Sequence, residues 1–218
     1  MKEEKYEILS EGQAEIVRKK SRFIGRLLRV TTEEEALSAL DSVRKEHYNA
    51  RHNCFAYIIP DPKVPSSDIL RSSDDGEPSQ TAGKQIADAL TNRGLCNALL
   101  VVTRYFGGVL LGTGGLSQAY RDASLAAIDA AGLAERHTAA LYTIESDYND
   151  YGNIDYLLRA RGIDITATDF GTAVTLTCLV PEGVDIARLV NDCVAGRAAL
   201  TAGDEKVYCK AGKDIIFF

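Results

Sequence analysis

The stretch Val101–Tyr120, VVTRYFGGVLLGTGGLSQAY, decides how the rest of the chain is read. Its apolar opening, continuous from Ala98 to Val102, reads as a buried strand. That strand delivers Arg104, Tyr105 and Phe106 at its end. The glycines Gly107, Gly108, Gly112, Gly114 and Gly115 follow, and then Leu116, Ala119, Tyr120 and Ala123 at helical spacing. Glycines let a backbone reach φ > 0 and bring its N–H groups close to a partner. The amides and dipole at the start of a helix favour an anion. Strand, glycine loop and helix are therefore a phosphate cradle, or else a tight turn in which glycines let strand and helix pack closely. No Gly-Lys-Ser/Thr triplet closes the loop as in a Walker A motif, and it is not G-x-G-x-x-G in a βαβ setting.

The chain of 218 residues is long enough for two domains with cores of their own, and 45% apolar with 26% charged residues is ordinary for a globular protein. No apolar run is long enough to span a bilayer, and MKEEKYEILS has no signal-peptide apolar region, so a cytoplasmic protein without membrane contact is expected. Cys54, Cys96, Cys178, Cys193 and Cys209 are widely spaced without a CxxC pair, which predicts reduced thiols. A net charge of −6 argues against nucleic-acid binding by bulk electrostatics. Residues 1–135 hold 17 Lys and Arg against 19 Asp and Glu, and residues 136–218 hold 8 against 12. Any nucleic-acid contact must be a local patch, placed in the first segment.

Taken in order, residues 5–9, 13–19 and 22–30 read as strands broken at Glu11-Gly12 and Lys20-Ser21. Arg18, Lys20 and Arg22 form a basic face if the strand continues through, and a solvated strand face otherwise. Thr32 with Glu35 predicts a capping box opening a helix that ends near His47. His52 and Cys54 then lie on one face of a strand; as metal ligands they lack partners, so a satisfied histidine and a buried thiol are expected. Residues 60–80, rich in proline, serine and acids, read as a long loop. Asp75 and Glu77 near its end are assigned turn-forming and capping roles ahead of acid–base or metal chemistry. A helix over 82–92 follows, with Gly94 past its end. After the signature strand comes a helix to about Ala131, and the segment is read as a βαβ crossover between parallel strands. The first domain, 1–135, is thus β-β-β-α-β-α-β-α. In the second, 136–218, strands at 139–147, 163–168, 173–180 and 206–210 and helices at 151–160 and 184–195 give the ferredoxin-like order βαββαβ. The fold class is α+β.

Arg104-Tyr105-Phe106-Gly107-Gly108, Leu111-Gly112-Thr113-Gly114-Gly115-Leu116 and Ala119-Tyr120 resemble the signature of the IMPACT/YigZ family. Lys20-Ser21-Arg22-Phe23-Ile24, the segment around His52 and Cys54, and Asp74–Ser79 with Thr81-Ala82-Gly83 resemble its other motifs. The resemblance covers essentially the whole chain and is to the bacterial two-domain type, without the RWD domain of eukaryotic members. It implies a ribosomal protein S5 domain 2-like fold for the first domain, as in domain IV of the translocating elongation factor. For the second it implies a ferredoxin-like module similar to domain V. Leu110, Gln118 and Gln80 depart from the family, which has Lys, Arg and Gly there; two positive charges fewer should weaken phosphate binding and flatten its salt dependence.

Eukaryotic relatives act in translational control, so the resemblance implies a non-enzymatic, translation-linked factor whose partner is RNA, a ribosomal component or a translation-related protein. The candidate site is a cleft formed by Ser21, His52, Asp75, Gly76, Glu77 and Ser79 with Lys84, Arg104, Tyr105, Gly107, Gly108, Gly112, Thr113, Gly114, Gly115 and Tyr120. In this reading Arg104 binds phosphate and Arg104→Glu abolishes RNA binding with the fold intact. No residue is assigned a catalytic role, and no metal or cofactor is expected. The rivals are an enzyme or sensor for a phosphorylated metabolite or nucleotide, and a protein–protein adaptor.

Overall fold

A computed structural model describes residues 4–64, 67–212 and 214–218. The chain forms two compact units, Met1–Glu135 and Arg136–Phe218, each with its own core. Among the described residues no helix is long and apolar enough to cross a membrane.

In the first unit, strands β1 (Tyr6–Ser10), β2 (Gly12–Arg18) and β3 (Ser21–Arg29) precede helix α1 (Glu33–Glu46) and strand β4 (His52–Pro60). Strand β5 (Asp68–Ser73), helix α2 (Gly83–Asn92), strand β6 (Ala98–Tyr105) and helix α3 (Gly112–Asp129) complete it. Sheet order is β2-β3-β6-β4-β5, every neighbouring pair antiparallel. The expected direct parallel pairing is therefore absent from the described ladders. β3 and β4 do run the same way, but β6 lies between them and pairs antiparallel with both.

The pleat sorts the side chains of this sheet. Phe23, Leu27, Cys54, Ala56, Leu100 and Val102 join the core that includes Ile86, Leu90, Tyr120 and Ala123 from α2 and α3. Leu28, Tyr57, Ile59, Leu99 and Val101 face the other way, onto Ala36, Leu40 and Val43 of α1. The spacing of Ala36, Leu37, Leu40 and Val43 predicts one apolar stripe on α1; Ala36, Leu40 and Val43 are buried, whereas Leu37 turns outward at 50% exposure. The cap of α1 is half of a capping box: Thr32 Oγ1 accepts the Glu35 amide at 3.1 Å, whereas the Glu35 carboxylate reaches back to the amide of Thr31, at 2.7 Å.

Two expectations need correction here. Residues 68–73, read as loop, form β5, paired from Phe55↔Ser73 to Pro60↔Asp68. The edge of β4 offers unpaired backbone groups, and satisfying them outweighs a composition poor in strand formers. Pro65 and Ser66, part of the same expectation, lie outside the described residues. Nor does the strand of Arg18 continue to Arg22. Lys19 and Lys20, at φ 46° and 65°, are the two-residue turn of the β2–β3 hairpin. The continuous basic face is therefore not formed: Arg18 pairs with Asp122 at 3.1 Å and Arg22 with Glu15 at 2.8 Å.

Strand β7 (Gly132–Ser146) pairs β1 through its first residues and, from Arg136 on, β9 and β10. The second unit continues with α4 (Tyr148–Ala160), β8 (Asp164–Phe170), β9 (Val174–Pro181), α5 (Ile186–Val194), β10 (Ala199–Ala211) and β11 (Asp214–Phe217). Strand order is β11-β10-β7-β9-β8, antiparallel throughout. The last expected strand, 206–210, is longer, and β11 adds a hairpin on its outer edge. Asp150 fixes the start of α4 to the end of α5, gripping Arg197 through both carboxylate oxygens at 2.6 Å. That bidentate pair holds the Asp150 carboxyl below the usual carboxylate range.

Candidate functional site

The site grows from the even-numbered face of β4 and β6. His52 and Cys54 on one strand and Arg104 on its neighbour point to the α2–α3 side, with His52 opposite Arg104 in the ladder. Over them runs the Asp74–Thr81 segment, which carries Glu77 inward. Glu77 Oε1 accepts from Arg104 Nη1 at 2.6 Å and from the Tyr120 hydroxyl at 2.9 Å. The two charged side chains are 4% and 7% exposed, a buried ion pair. The guanidinium lies 5.4 Å from the Phe23 ring centre and 5.6 Å from that of Phe106.

Three residues, Asp74, Asp75 and His52, fasten the segment further. Asp74 accepts the amides of Ala82 and Gly83 at 2.9 and 2.8 Å, capping α2 from eight residues upstream, since Ala82 has no side chain able to do so. Asp75 accepts the Asn53 amide at 2.7 Å and an Arg44 N–H at 3.1 Å. His52 Nδ1 lies 2.9 Å from the Asp75 carbonyl, which can only accept, so Nδ1 carries the proton and Nε2 faces Glu77 at 4.0 Å. The turn puts Gly76 and Gln80 at φ 86° and 63°; a glycine at position 80 would relieve the second.

Burial silences the thiol and phenol beside Glu77. The Cys54 thiol donates to the Asp74 carbonyl at 2.9 Å, and desolvation pushes its pKa up to about 12. Burial, then the neighbouring Cys54 and Glu77, raise the Tyr120 phenol far above its ordinary value. Cys54 should therefore resist iodoacetamide at neutral pH in the native state, while half-buried Cys193 reacts first. Labelling of Cys54 in folded protein, read by peptide mass spectrometry, would contradict that geometry. None of the five cysteines forms a disulfide.

The structure thus brings His52, Asp75, Gly76, Glu77, Arg104 and Tyr120 together, and the Glu77–Arg104 pair leaves Arg104 committed to a protein carboxylate instead of open to phosphate. Ser21 lies at the neighbouring hairpin end, its hydroxyl accepting the Gly107 amide at 3.1 Å. Tyr105 is on the opposite face, its hydroxyl 3.0 Å from His47 Nδ1. Lys84 is exposed and paired with Asp88, and Ser79 is exposed in the turn.

Gly107 and Gly108 precede α3, whereas Gly112, Thr113, Gly114 and Gly115 form its first turn. No side chain caps that turn and no acid stands in it. Gly114 has no positive φ, and a Cβ there would meet nothing within 4 Å. Packing supplies no reason for glycine at this helical position, where it costs about 1 kcal/mol relative to alanine.

The residues that sequence reasoning passed over are Lys19, Asp74 as a cap, and Phe106, which is 51% exposed. Lys19 and Lys20 are exposed, and no ion pair is formed by either among the described residues. The Lys20 backbone packs directly on Gly107. A hairpin turn of two residues at positive φ favours Asn-Gly, so two lysines there carry no turn signal that sequence reading could have used.

Residues 19–128 match the family model of the Impact N-terminal domain, and residues 144–185 match a domain of unknown function, DUF1949. The chain is 43% identical over 148 residues to the IMPACT family member YvyE of Bacillus subtilis, covering 68% of this chain and 66% of that one. It is 37% identical over 163 residues to the IMPACT family member YigZ of Escherichia coli, covering 75% and 79%. A crystal structure of a hypothetical protein, 32% identical, superposes with a TM-score of 0.57 over 94% of this chain and 99% of the other.

Proposed function

This chain belongs to the IMPACT family, and from that premise we propose that it is a non-enzymatic, translation-linked regulatory factor, cytoplasmic, that binds RNA or an RNA-bearing ribosomal component. The family resemblance supports the link to translation. One observation carries the RNA part: the Lys19–Lys20 turn, held in a conformation that disfavours lysine, stands with its backbone against Gly107 at the head of the open glycine segment. Two lysines that form no ion pair among the described residues, on a turn packed against Gly107, suit a phosphate backbone. Holding non-glycine residues at left-handed φ costs on the order of 1 kcal/mol each, a cost met at functional sites.

The geometry favours binding over catalysis. Glu77 Oε1 is shared by a guanidinium and a phenol, and Cys54 is held protonated, so neither is poised as a base or nucleophile. On this reading the first unit has the S5 domain 2-like fold. The order β7-α4-β8-β9-α5-β10 with strands arranged β10-β7-β9-β8 supports a ferredoxin-like second unit.

The double substitution Lys19→Asn/Lys20→Gly tests this. It should raise stability by about 1 kcal/mol, since it installs the residues the turn prefers. It should also weaken RNA binding and flatten the dependence of log K on log salt by about 1.4, two charges at about 0.7 each for single strands. Unchanged RNA affinity and salt slope, measured by fluorescence anisotropy, would remove the turn from the interface.

A further inference from the structure

We propose that Phe106 is a stacking platform for an unpaired base, so that the ligand of this site is single-stranded or looped RNA and not duplex; this rests on the RNA-binding reading above.

Phe106 follows Arg104 by two residues and leaves the end of β6 on the same side of the sheet. Half of it is exposed, at 51%. What lies behind the ring is unusually fixed. The Arg104 guanidinium sits 5.6 Å from its centre and is itself held by Glu77 at 2.6 Å and by the Phe23 ring at 5.4 Å. Phe23 in turn meets Tyr120 edge-on, with centroids 5.2 Å apart and planes at 87°. The buried ion pair thus has an outward consequence: it backs an exposed ring with a side chain that cannot swing away. A platform set before binding loses little entropy when it is used.

Its neighbours supply the rest of a nucleotide site. Gly107, the next residue, carries the Lys19–Lys20 turn against its backbone, so the turn that bears two exposed lysines adjoins the residue that follows the ring. An A-form duplex hides its base faces, whereas unpaired bases can be splayed onto an aromatic ring. One aromatic at the edge of a basic turn therefore selects unpaired nucleotides. The lysines favour this over a protein partner, which would meet the exposed Val109 and Leu110 on the same segment.

The probes are an RNA hairpin carrying a fluorescent adenine analogue in its loop and a blunt duplex of the same stem, offered to the full chain. Wild-type protein should bind the hairpin at least tenfold more tightly than the duplex and quench the loop fluorophore. Phe106→Leu keeps an apolar side chain but has no ring. It should lose about tenfold in hairpin affinity together with the quenching, at an unchanged melting temperature and duplex affinity. Equal affinity for hairpin and duplex, or a Phe106→Leu variant that binds and quenches like wild type, overturns the stacking site while leaving RNA binding in place. No salt-sensitive binding to either RNA overturns both.

Discussion

Arg104→Glu is expected to destabilise the first unit by about 3–5 kcal/mol, so any loss of RNA binding in that variant will report unfolding before it reports a missing phosphate contact. The pair it breaks is almost fully buried, with Glu77 4% and Arg104 7% exposed. Substitution would place two carboxylates where one now accepts a guanidinium and a phenol. The Tyr120 hydroxyl can still donate to Glu77, but no cation replaces Arg104, and the Asp74–Thr81 segment loses its inward anchor. Glu77→Gln with Arg104→Met removes both charges while keeping similar volumes, and should recover much of the loss, because neutral packing costs less than an orphaned charge. Urea denaturation of the two variants decides the point. A change below about 1 kcal/mol for Arg104→Glu would mean that the pair is solvated and worth no more than a surface ion pair.

Gly107→Ala should be the most damaging of the glycine-segment substitutions, at about 3 kcal/mol, and should weaken RNA binding as well. A Cβ on Gly107 would stand 2.0 Å from the Lys20 carbonyl carbon and 2.3 Å from the Ser21 nitrogen. Both are backbone atoms in a two-residue turn, so relief requires moving the hairpin and breaking the Gly107 amide bond to Ser21 Oγ. Gly108→Ala is the control. Its φ of 82° penalises alanine, but its Cβ would meet nothing within 4 Å, so only a conformational cost of about 1–2 kcal/mol applies. Equal melting temperatures for the two variants would show that the hairpin does not rest on the glycine segment.

Much of the fold was legible because it rests on local periodicity. Alternation along β4 places His52 and Cys54 on one face before any contact is known, and the pairing with β6 adds Arg104 to it. The 3.6-residue spacing of Ala36, Leu40 and Val43 likewise states which side of α1 is buried. β5 was not legible, since Asp68–Ser73 has little strand character of its own and is a strand because the edge of β4 accepts it. The capping of α2 by Asp74 was equally hidden, because cap patterns are sought within three residues and this one spans eight.

The sequence by itself determined the two-part α+β organisation, the glycine-rich signature after a buried strand and the family to which those motifs belong. The tertiary structure alone decided what the charged residues do. Arg104 and Glu77 are 27 positions apart, and whether Arg104 meets phosphate or protein depends on which carboxylate arrives within hydrogen-bond reach once β4 and β6 pair. Lys19 and Lys20 look no different in sequence from Arg18 and Arg22. Only the folded turn leaves these two lysines without an ion pair among the described residues and sets the Lys20 backbone against Gly107, because side-chain period reports a face and not the partner that occupies it.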